Sequence, residues 1–327
     1  MEIKRNSGFT LIELLVAVAL GLVILAGLFR TFKVQQDSYV IQDQVSAMQQ
    51  NLRAAMYMIT RDLQMAGYYT NYDGVSQTRD WKGDGNNETG LPLLFASNNV
   101  TATGDNIKDG TDVIVIVKAS LEEGRALTGT ENASGGNISL ANWDLDGATG
   151  PDLNTAGKRY GVLVKSDLYK AELFQLDSSG NLVQPLKESY SADPDPLRTD
   201  RIHRADIVIY KVDDSNPARP CLVRRNLGQD TGSFEVIAEN IDNLQFTYQL
   251  QNGQWVNDPA GNQNRVRAVE VFLVGRTAYI QRGYTDSNTY SFGSGATASS
   301  YTPTGAGRQY RRKVLTSIVK TRNIGLN

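Results

Sequence analysis

The sequence predicts an α+β fold in which one very long N-terminal helix packs on a mostly antiparallel β-sheet head. Three observations predict this fold. Residues 9–30 are almost wholly apolar, residues 31–67 repeat apolar side chains at helical spacing, and no proline precedes Pro92. Beyond residue 68 the chain becomes polar and rich in glycine, and short runs of β-branched and aromatic residues recur.

The segment 9–30 is long enough to cross the roughly 30 Å hydrocarbon core of a membrane as a helix. Glu13 is the only charged residue from Phe9 to Phe29. Because a carboxylate is costly in hydrocarbon, its presence there indicates a function. The alternative is that Glu13 simply reaches the lipid headgroups from the end of the helix.

Residues 1–8 form a short polar segment that carries two bases and no apolar core. An ordinary secretory signal has its apolar region before the cleavage site, whereas here that region would follow the site. The order Gly8, Phe9 and then Glu13 resembles the class III leader of type IV prepilins and type II secretion pseudopilins. This resemblance implies that a prepilin peptidase cleaves between Gly8 and Phe9 and methylates the new amino group of Phe9.

Cleavage at this site would free an amine with a pKa of about 8, mostly cationic at neutral pH. Glu13 lies about one helical turn from Phe9, so a pair within one chain is possible; the resemblance implies instead a pair with the Phe9 amine of a neighbouring subunit. Such a pair is strongest where water is excluded. The bases flanking the apolar run are balanced, so charge leaves the topology open. The leader resemblance places Phe9 at the cytoplasmic face and the chain after Lys33 outside.

The segment 31–67 predicts an amphipathic continuation of the same helix. Its apolar residues recur at steps of three and four, at Ile41, Val45, Met48, Leu52, Ala55, Ile59, Leu63 and Ala66. Gly67 stands where a C-cap glycine is expected. A helix running from Phe9 to Ala66 would be about 87 Å long at about 1.5 Å per residue.

The segment 68–327 predicts a β-rich head with long loops. Its β-type runs are Leu91–Ala96, Thr111–Lys118, Tyr160–Lys165, Glu172–Leu176, Ala205–Val212, Cys221–Arg225, Asn243–Leu250, Arg265–Val274 and Lys313–Thr321. We expect one enlarged head, with a division near Ser191 to Arg198 as the alternative. The tract 283–309 is rich in Gly, Ser, Thr and Tyr, which predicts a long, exposed and flexible loop.

Three further motifs narrow the resemblance. The segment 61–68, Arg-Asp-Leu-Gln-Met-Ala-Gly-Tyr, resembles the ending of the long helix in PilW-type minor pilins, although Gln64 stands where arginine is usual. The segment 240–248, followed by Trp255, is similar to the matching region of PilW proteins and of J-type pseudopilins. The segment 320–323 resembles the final strand of the family. The resemblance covers both ends of the chain and little of its middle.

The residue types give little support for catalysis. The chain has one histidine, His203, one cysteine, Cys221, and no nucleophile-elbow, zincin or P-loop motif. We therefore predict no enzymatic activity and no cofactor. Cys221 has no partner for an internal disulfide and is expected to lie buried in a strand; the alternative is a bond between two chains.

A weak calcium site is the one metal hypothesis in the head. Asn142, Asp144 and Asp146 supply oxygen ligands at alternate positions before a glycine that permits a sharp turn. The twelfth position of an EF-hand would be Leu153, which cannot ligate, although Asp152 is adjacent. The alternative is a polar turn without a metal.

Basic residues gather in two places without making the chain basic. They are Arg198, Arg201 and Arg204, and then Arg308, Arg311, Arg312 and Lys313. Loss of residues 1–8 would leave 31 Lys and Arg against 34 Asp and Glu. Because nucleic-acid binding normally requires a basic domain or stripe, a nucleic-acid partner is not expected.

These features predict a PilW-like minor pilin, a non-enzymatic subunit that primes or caps a type IV pilus at its tip. Its expected partners are other minor pilins, the major pilin, the prepilin peptidase, the inner-membrane assembly platform and, before assembly, membrane lipid. The expected location is the inner membrane, as a single-pass protein with the head outside, and then the pilus. The alternatives are a J-type pseudopilin of a type II secretion system and a pilus-tip adhesin or DNA receptor.

Overall fold

A computed structural model describes residues 10–69, 75–79, 88–91, 94–100, 106–140, 159–166, 170–228, 233–293 and 295–324. The chain forms one long helix and antiparallel sheets, which confirms the predicted α+β class. It divides into two compact units, Met1–Ala47 and Met48–Asn327. The second unit includes Ser191 to Arg198.

The long helix, α1, spans Leu11–Gln64. Its N-terminal part is long and apolar enough to cross a membrane, and none of that stretch is buried in the structure. The helix ends two residues before the predicted Ala66, because Met65–Tyr69 form turns and Gly67 adopts a φ of +75°.

The last turns of α1 belong to the head rather than to the anchor. The buried side chains of α1 lie at helical spacing, at Met48, Leu52, Ala55, Met56, Ile59, Asp62 and Leu63. The compact head unit therefore begins at Met48. The sequence predicts a head that begins at residue 68, because a continuous amphipathic helix gives no signal of where its packing against the sheets begins.

In the ranges that the structure describes, eighteen strands follow α1. The first nine are β1 Val75–Arg79, β2 Glu88–Leu91, β3 Leu94–Val100, β4 Thr111–Ala126, β5 Asn132–Ser134, β6 Asn137–Ser139, β7 Tyr160–Val164, β8 Ala171–Gln175 and β9 Ser189–Ser191. The others are β10 Arg201–Asp213, β11 Cys221–Asn226, β12 Glu235–Glu239, β13 Ile241–Leu250, β14 Trp255–Val256, β15 Val266–Arg276, β16 Tyr290–Phe292, β17 Ser299–Tyr301 and β18 Arg312–Lys320.

The larger sheet has the order β12-β11-β10-β4-β3, and β7 pairs with the start of β10 and with β8. Its central strands β4 and β10 are largely buried where their side chains are described, and each contains an apolar run, Val113–Val117 in β4 and Ile207–Tyr210 in β10. One face carries a core of Val113, Val115, Val117, Ile207 and Ile209. Small sheets of β1-β2 and β6-β5-β9 complete the part of this region that the structure describes.

The second sheet has the order β14-β13-β15-β18 and is antiparallel throughout. Gly275 of β15 faces Leu52 of α1, and a Cβ at this glycine would lie 2.8 Å from Leu52 Cγ. The glycine therefore lets the helix approach the strand more closely than any other residue would.

Within 283–293 and 295–309, where the sequence predicts a long exposed loop, the structure has a short hairpin and two 3₁₀ turns, and most of the described residues are exposed; the flexibility of this segment stays a prediction. The hairpin is β16-β17, and Phe292 packs on Phe272 of β15 with ring centroids 5.0 Å apart. Asp286 is buried and accepts hydrogen bonds from Tyr290 and Arg312. The composition of this segment does not predict the hairpin, because its buried polar contacts join residues that are far apart in the sequence.

Candidate assembly segment and buried acidic clusters

Glu13 lies in a capping box at the start of α1. Its Oε2 accepts hydrogen bonds from the main-chain N–H and the hydroxyl of Thr10, both at 2.9 Å, and its own N–H donates to Thr10 Oγ1 at 3.3 Å. Gly8 and Phe9 lie outside the described residues. The cleavage site and the pairing of Glu13 with the Phe9 amine therefore stay predictions.

The surface of α1 that follows Glu13 is apolar and uncovered. Every Leu, Ile, Val and Phe side chain from Leu11 to Val34 is at least 50% exposed. A groove on this surface is lined by Leu11, Leu14, Leu15, Val18, Ala19 and Leu22. An exposed apolar surface of this extent requires lipid or other helices to cover it.

The helix is joined to the larger sheet by a buried group that we call the helix–sheet cluster, formed by Asp62, Lys118, Tyr210 and Arg224. Asp62 Oδ1 accepts from Lys118 Nζ at 2.7 Å. Asp62 Oδ2 accepts from the Tyr210 hydroxyl at 2.6 Å and from Arg224 Nε at 3.1 Å. One carboxylate therefore links α1 to the three adjacent strands β4, β10 and β11.

The charges of the helix–sheet cluster fix its protonation. Burial opposes ionisation of Asp62, but Lys118 and Arg224 more than compensate and hold the pKa of its carboxyl below the usual value. Burial and the neighbouring Asp62 carboxylate raise the pKa of the Tyr210 hydroxyl. Tyr210 therefore remains a hydrogen-bond donor to an ionised Asp62 at neutral pH.

The segments 61–68 and 320–323 meet at the end of α1. Asn323 Nδ2 donates to the main-chain carbonyl of Gln64 at 3.4 Å. A Cβ at Gly67 would lie 3.0 Å from Ile324 Cγ1, and the Gly67 N–H donates to the Val117 carbonyl at 2.8 Å. Gly67 therefore permits the turn after α1 and also leaves space for Asn323 and Ile324 to pack against it.

A second buried group, the hairpin cluster, consists of Asp242, Lys108, Arg276, Arg312, Tyr301 and Asp286. Asp242 Oδ2 accepts from Arg312 Nε and from the Tyr301 hydroxyl, both at 2.6 Å, and Asp242 Oδ1 accepts from Lys108. Arg312 Nη1 also donates to Asp286 Oδ2 at 3.1 Å. The cluster ties β13 and β18 to the segment 283–309.

The side chains of Arg312, Asp242 and Asp286 are at most 1% exposed, so their charges must compensate one another. Burial opposes ionisation of Asp242, but Lys108 and Arg312 hold the pKa of its carboxyl well below the usual value. Burial also raises the pKa of Tyr301, which donates to the ionised Asp242. The cluster is therefore a closed charged network rather than an open reactive site.

The structure describes only some of the other residues singled out from the sequence. Asn142, Asp144, Asp146 and Asp152 lie outside the described residues, so calcium binding stays a prediction. Within the ranges that the structure describes, no group of His, Cys, Asp and Glu could hold a metal ion. Cys221 is half-buried at the start of β11 and contacts the Arg219 carbonyl at 3.2 Å from Sγ.

His203 is buried in β10, with its ring centroid 5.5 Å from that of Tyr69. It packs over Gly124, where a Cβ would lie 2.1 Å from the His203 ring. This contact places the one histidine of the chain in the packing of the head.

Several bases of the second basic group serve internal contacts. Arg312 belongs to the hairpin cluster, Arg311 lies over the ring of Tyr284 at 4.5 Å, and Arg308 Nε donates to the Asp286 carbonyl at 3.1 Å. These side chains are therefore committed to folding the head.

Asp62 is noted in the sequence only as part of the segment 61–68, and the hairpin cluster is not predicted from the sequence. Asp62 could have been found because it lies three residues after Ile59 and next to Leu63, on the apolar face of α1. The hairpin cluster left no such signal, because Asp242 meets Lys108 and Arg312 across 134 and 70 residues.

Two family models match the chain. The model described as type IV pilus-assembly protein W, PilW, matches residues 209–323, and the model of the prokaryotic N-terminal methylation motif matches residues 3–29. Comparison with curated protein sequences finds no significant match. Among solved structures, a type IV-like pilin from Thermus thermophilus is 12% identical, with a TM-score of 0.32, over 84% of this chain and 95% of that chain.

Proposed function

We propose that the chain is a PilW-like type IV minor pilin that primes or caps the tip of a type IV pilus; the matches to the PilW model over residues 209–323 and to the N-terminal methylation motif over residues 3–29 support this. It acts as a structural subunit without enzymatic activity. The observation that carries the proposal is the uncovered apolar surface of α1 from Leu11 to Val34. This surface precedes in sequence the compact unit Met48–Asn327. Before assembly lipid covers this surface, and in the pilus neighbouring pilin helices replace the lipid.

Glu13 sets the axial position of the helix in this proposal. Prepilin peptidase removes residues 1–8, and the Phe9 amine of one subunit meets Glu13 of the next. In the described structure the Glu13 carboxylate is held by Thr10 alone. A cationic amine is a stronger partner for a carboxylate than a neutral hydroxyl is, so assembly adds an interaction to the capping box.

The size of the head favours the tip over the shaft. The compact unit Met48–Asn327 would have to repeat at close spacing along a shaft, where a bulky head would crowd its neighbours. At the tip such a head meets subunits on one side only. The partners in this arrangement are other minor pilins below it, the major pilin, and the inner-membrane platform that extracts the subunit from the membrane.

The head must stay folded while its helix is pulled from lipid into the pilus. The helix–sheet cluster serves this need because Asp62 binds α1 to three strands at once. Movement of the helix is therefore transmitted to the head as a whole.

Mass spectrometry of protein from sheared pili tests the proposal. We expect a chain that begins at methylated Phe9, co-isolated with minor pilins in low copy number. An intact Met1 in assembled pili would refute the processing. Deletion of the gene should abolish surface pili while leaving exoprotein export unchanged, and the reverse result would assign the chain to a type II secretion system.

A further inference from the structure

The edge of the second sheet is formed by β18, Arg312–Lys320, which pairs with β15 on one side. Nine residue pairs follow one another from Ala268–Lys320 to Arg276–Arg312 without a shift in register. No strand in the described ranges pairs with the other side of β18. A regular strand of this length with one free side is a template for a further strand.

The hydrogen bonds at the two ends of this ladder show which backbone groups face the free side. The Thr277 N–H donates to the Arg311 carbonyl at 2.9 Å, and the Thr321 N–H donates to the Arg267 carbonyl at 3.0 Å. Because hydrogen-bonded pairs alternate in an antiparallel ladder, the odd-numbered residues of β18 bond to β15. The N–H and C=O groups of Val314, Thr316, Ile318 and Lys320 therefore point away from the sheet.

This edge lacks the usual protection against pairing. It contains no proline and no bulge, and Thr316 and Ile318 have exposed side chains, with Ile318 60% exposed. Lysines are its one blocking feature, at Lys313 and Lys320, and both lie near the ends of the strand. Among the described residues, none pairs with the middle of this edge, which leaves it open to a partner.

The charges of β18 determine which partner fits. Residues 309–324 contain no acid, and their exposed bases lie at the two ends of the strand, Lys313 at the start and Lys320 with Arg322 at the end, whereas Arg311 and Arg312 serve internal contacts. If a second copy of β18 paired in the antiparallel direction, the basic start of one strand would lie against the basic end of the other. If it paired in the parallel direction, each basic end would lie against the same basic end of the other copy. Like charges directly opposite each other destabilise a strand pair, so a second copy of this chain is disfavoured.

We propose that the free edge of β18 binds a β-strand of a different pilin subunit, with apolar residues in its middle and acidic residues at both ends. This inference rests on the proposed function, because it supplies the head-to-head contact of an assembled subunit. The partner strand hydrogen-bonds to the outward backbone groups of Val314, Thr316 and Ile318, and its acids meet Lys313 and Lys320. The helices then provide the membrane-side contact and β18 provides the specific one.

A proline at position 316 tests the backbone contact. In Thr316→Pro the outward N–H is lost and the ring blocks the free edge, while the hydrogen bonds to β15 stay because Thr316 does not take part in them. The matched control is Thr316→Ala, which keeps the N–H. We expect the amount of the chain in sheared pili to fall at least about tenfold for T316P and less than about twofold for T316A, at equal cellular levels and equal melting temperatures.

Exchange of charge provides a second variant that keeps the backbone intact. The double variant Lys313→Glu with Lys320→Glu should lower incorporation as T316P does. The control is Lys187→Glu with Arg198→Glu, which changes the same charge at exposed positions away from β18. If T316P fails to fold, this pair of variants decides the question.

The outcomes separate the inference from the proposed function. If the unaltered chain is absent from pili, the proposed function fails. If the unaltered chain is present and both T316P and the lysine reversal enter pili as the controls do, the inference fails. If two differently tagged copies of the unaltered chain co-isolate and T316P abolishes this, the partner is a second copy and the assignment to a different subunit is overturned.

Discussion

The hydroxyl of Tyr210 donates a 2.6 Å hydrogen bond to Asp62 Oδ2 across 148 residues of sequence. This bond joins the last turns of the helix to the central strand of the larger sheet. The segment Met48–Gln64 is consequently part of the head, and the anchor is the part of α1 that precedes it.

Replacement of Asp62 should strongly destabilise the head. In Asp62→Asn, Lys118 and Arg224 lose their counter-ion, and both are partly buried. Because these two bases retain some access to water, we expect a loss of about 2–4 kcal/mol in the free energy of unfolding. Denaturant unfolding of the full chain in detergent measures it. Asp43→Asn, on an exposed part of α1, is the control and should change little; an equal effect of both variants would contradict the cluster.

Asp112 should make the head more stable in mild acid. Its buried carboxyl accepts from the N–H groups of Asn99 and Phe246, and burial raises its pKa to about 7. A raised carboxyl pKa means that the folded state binds the proton more tightly, so stability falls as the pH rises from about 4 to about 7. Between pH 7.5 and 5.5 the gain on acidification is up to about 2 kcal/mol.

Denaturant unfolding at several pH values checks this dependence. Asp112→Asn should remove the gain between pH 7.5 and 5.5. Asp62 and Asp242 have lowered pKa values, so their contribution is present above about pH 4 and is lost only in stronger acid. A pH dependence in the neutral range that survives in D112N would assign it to another group.

Gly275→Ala should push the helix away from β15. The new Cβ would lie 2.8 Å from Leu52 Cγ, and overpacking of this kind costs about 1–3 kcal/mol. The double variant with Leu52→Ala should lose less than the sum of the two single losses, because the smaller side chain makes room for the methyl group. Gly136→Ala, where no atom lies within 4 Å, is the control. Strict additivity in the cycle would argue against the contact.

Arg312→Met should release the segment 283–309 from the second sheet. The buried carboxylates of Asp242 and Asp286 then lose a shared counter-ion, which costs about 3–5 kcal/mol. Hydrogen exchange of the full chain should show protected amides around Asp286 in the unaltered protein and rapid exchange in the variant. Arg311→Met, which removes the stacking on Tyr284 and the hydrogen bond to Gln281 Oε1 but no contact with Asp286, should leave the protection in place. Rapid exchange in the unaltered protein would instead support the flexible loop that the sequence predicts for 283–309.

Two variants separate the charge of Glu13 from its role in the helix cap. Glu13→Gln keeps an oxygen that can accept from Thr10 but removes the charge, and it should lower incorporation into pili at least about tenfold if a neighbour's amine is its partner. Thr10→Ala removes the two hydroxyl contacts of the capping box and keeps the charge, and it should have a small effect. Normal incorporation of E13Q into pili would contradict the proposed pairing of Glu13 with the Phe9 amine of a neighbouring subunit.

The sequence was sufficient for those parts of the fold that depend on local pattern. The apolar run 9–30, the spacing that includes Leu52 and Ile59, and the glycine at 67 led to the helix and its end, because each signal lies within a few turns. The folding of 283–309 could not be predicted from its composition. It depends on Asp286 and Phe292 meeting residues of β15 and β18, and the sequence carries no local record of those contacts.

The joint between Gly67 and Ile324 has a consequence for biogenesis. Ile324 is 1% exposed, and it reaches the helix end only after all the intervening strands have been synthesised. In the proposed topology the anchor is already in the bilayer while those strands are still crossing it. Asn323 and Ile324 therefore complete the packing at the end of α1, and a chain truncated before Asn323 would leave Gln64 and Gly67 without these contacts.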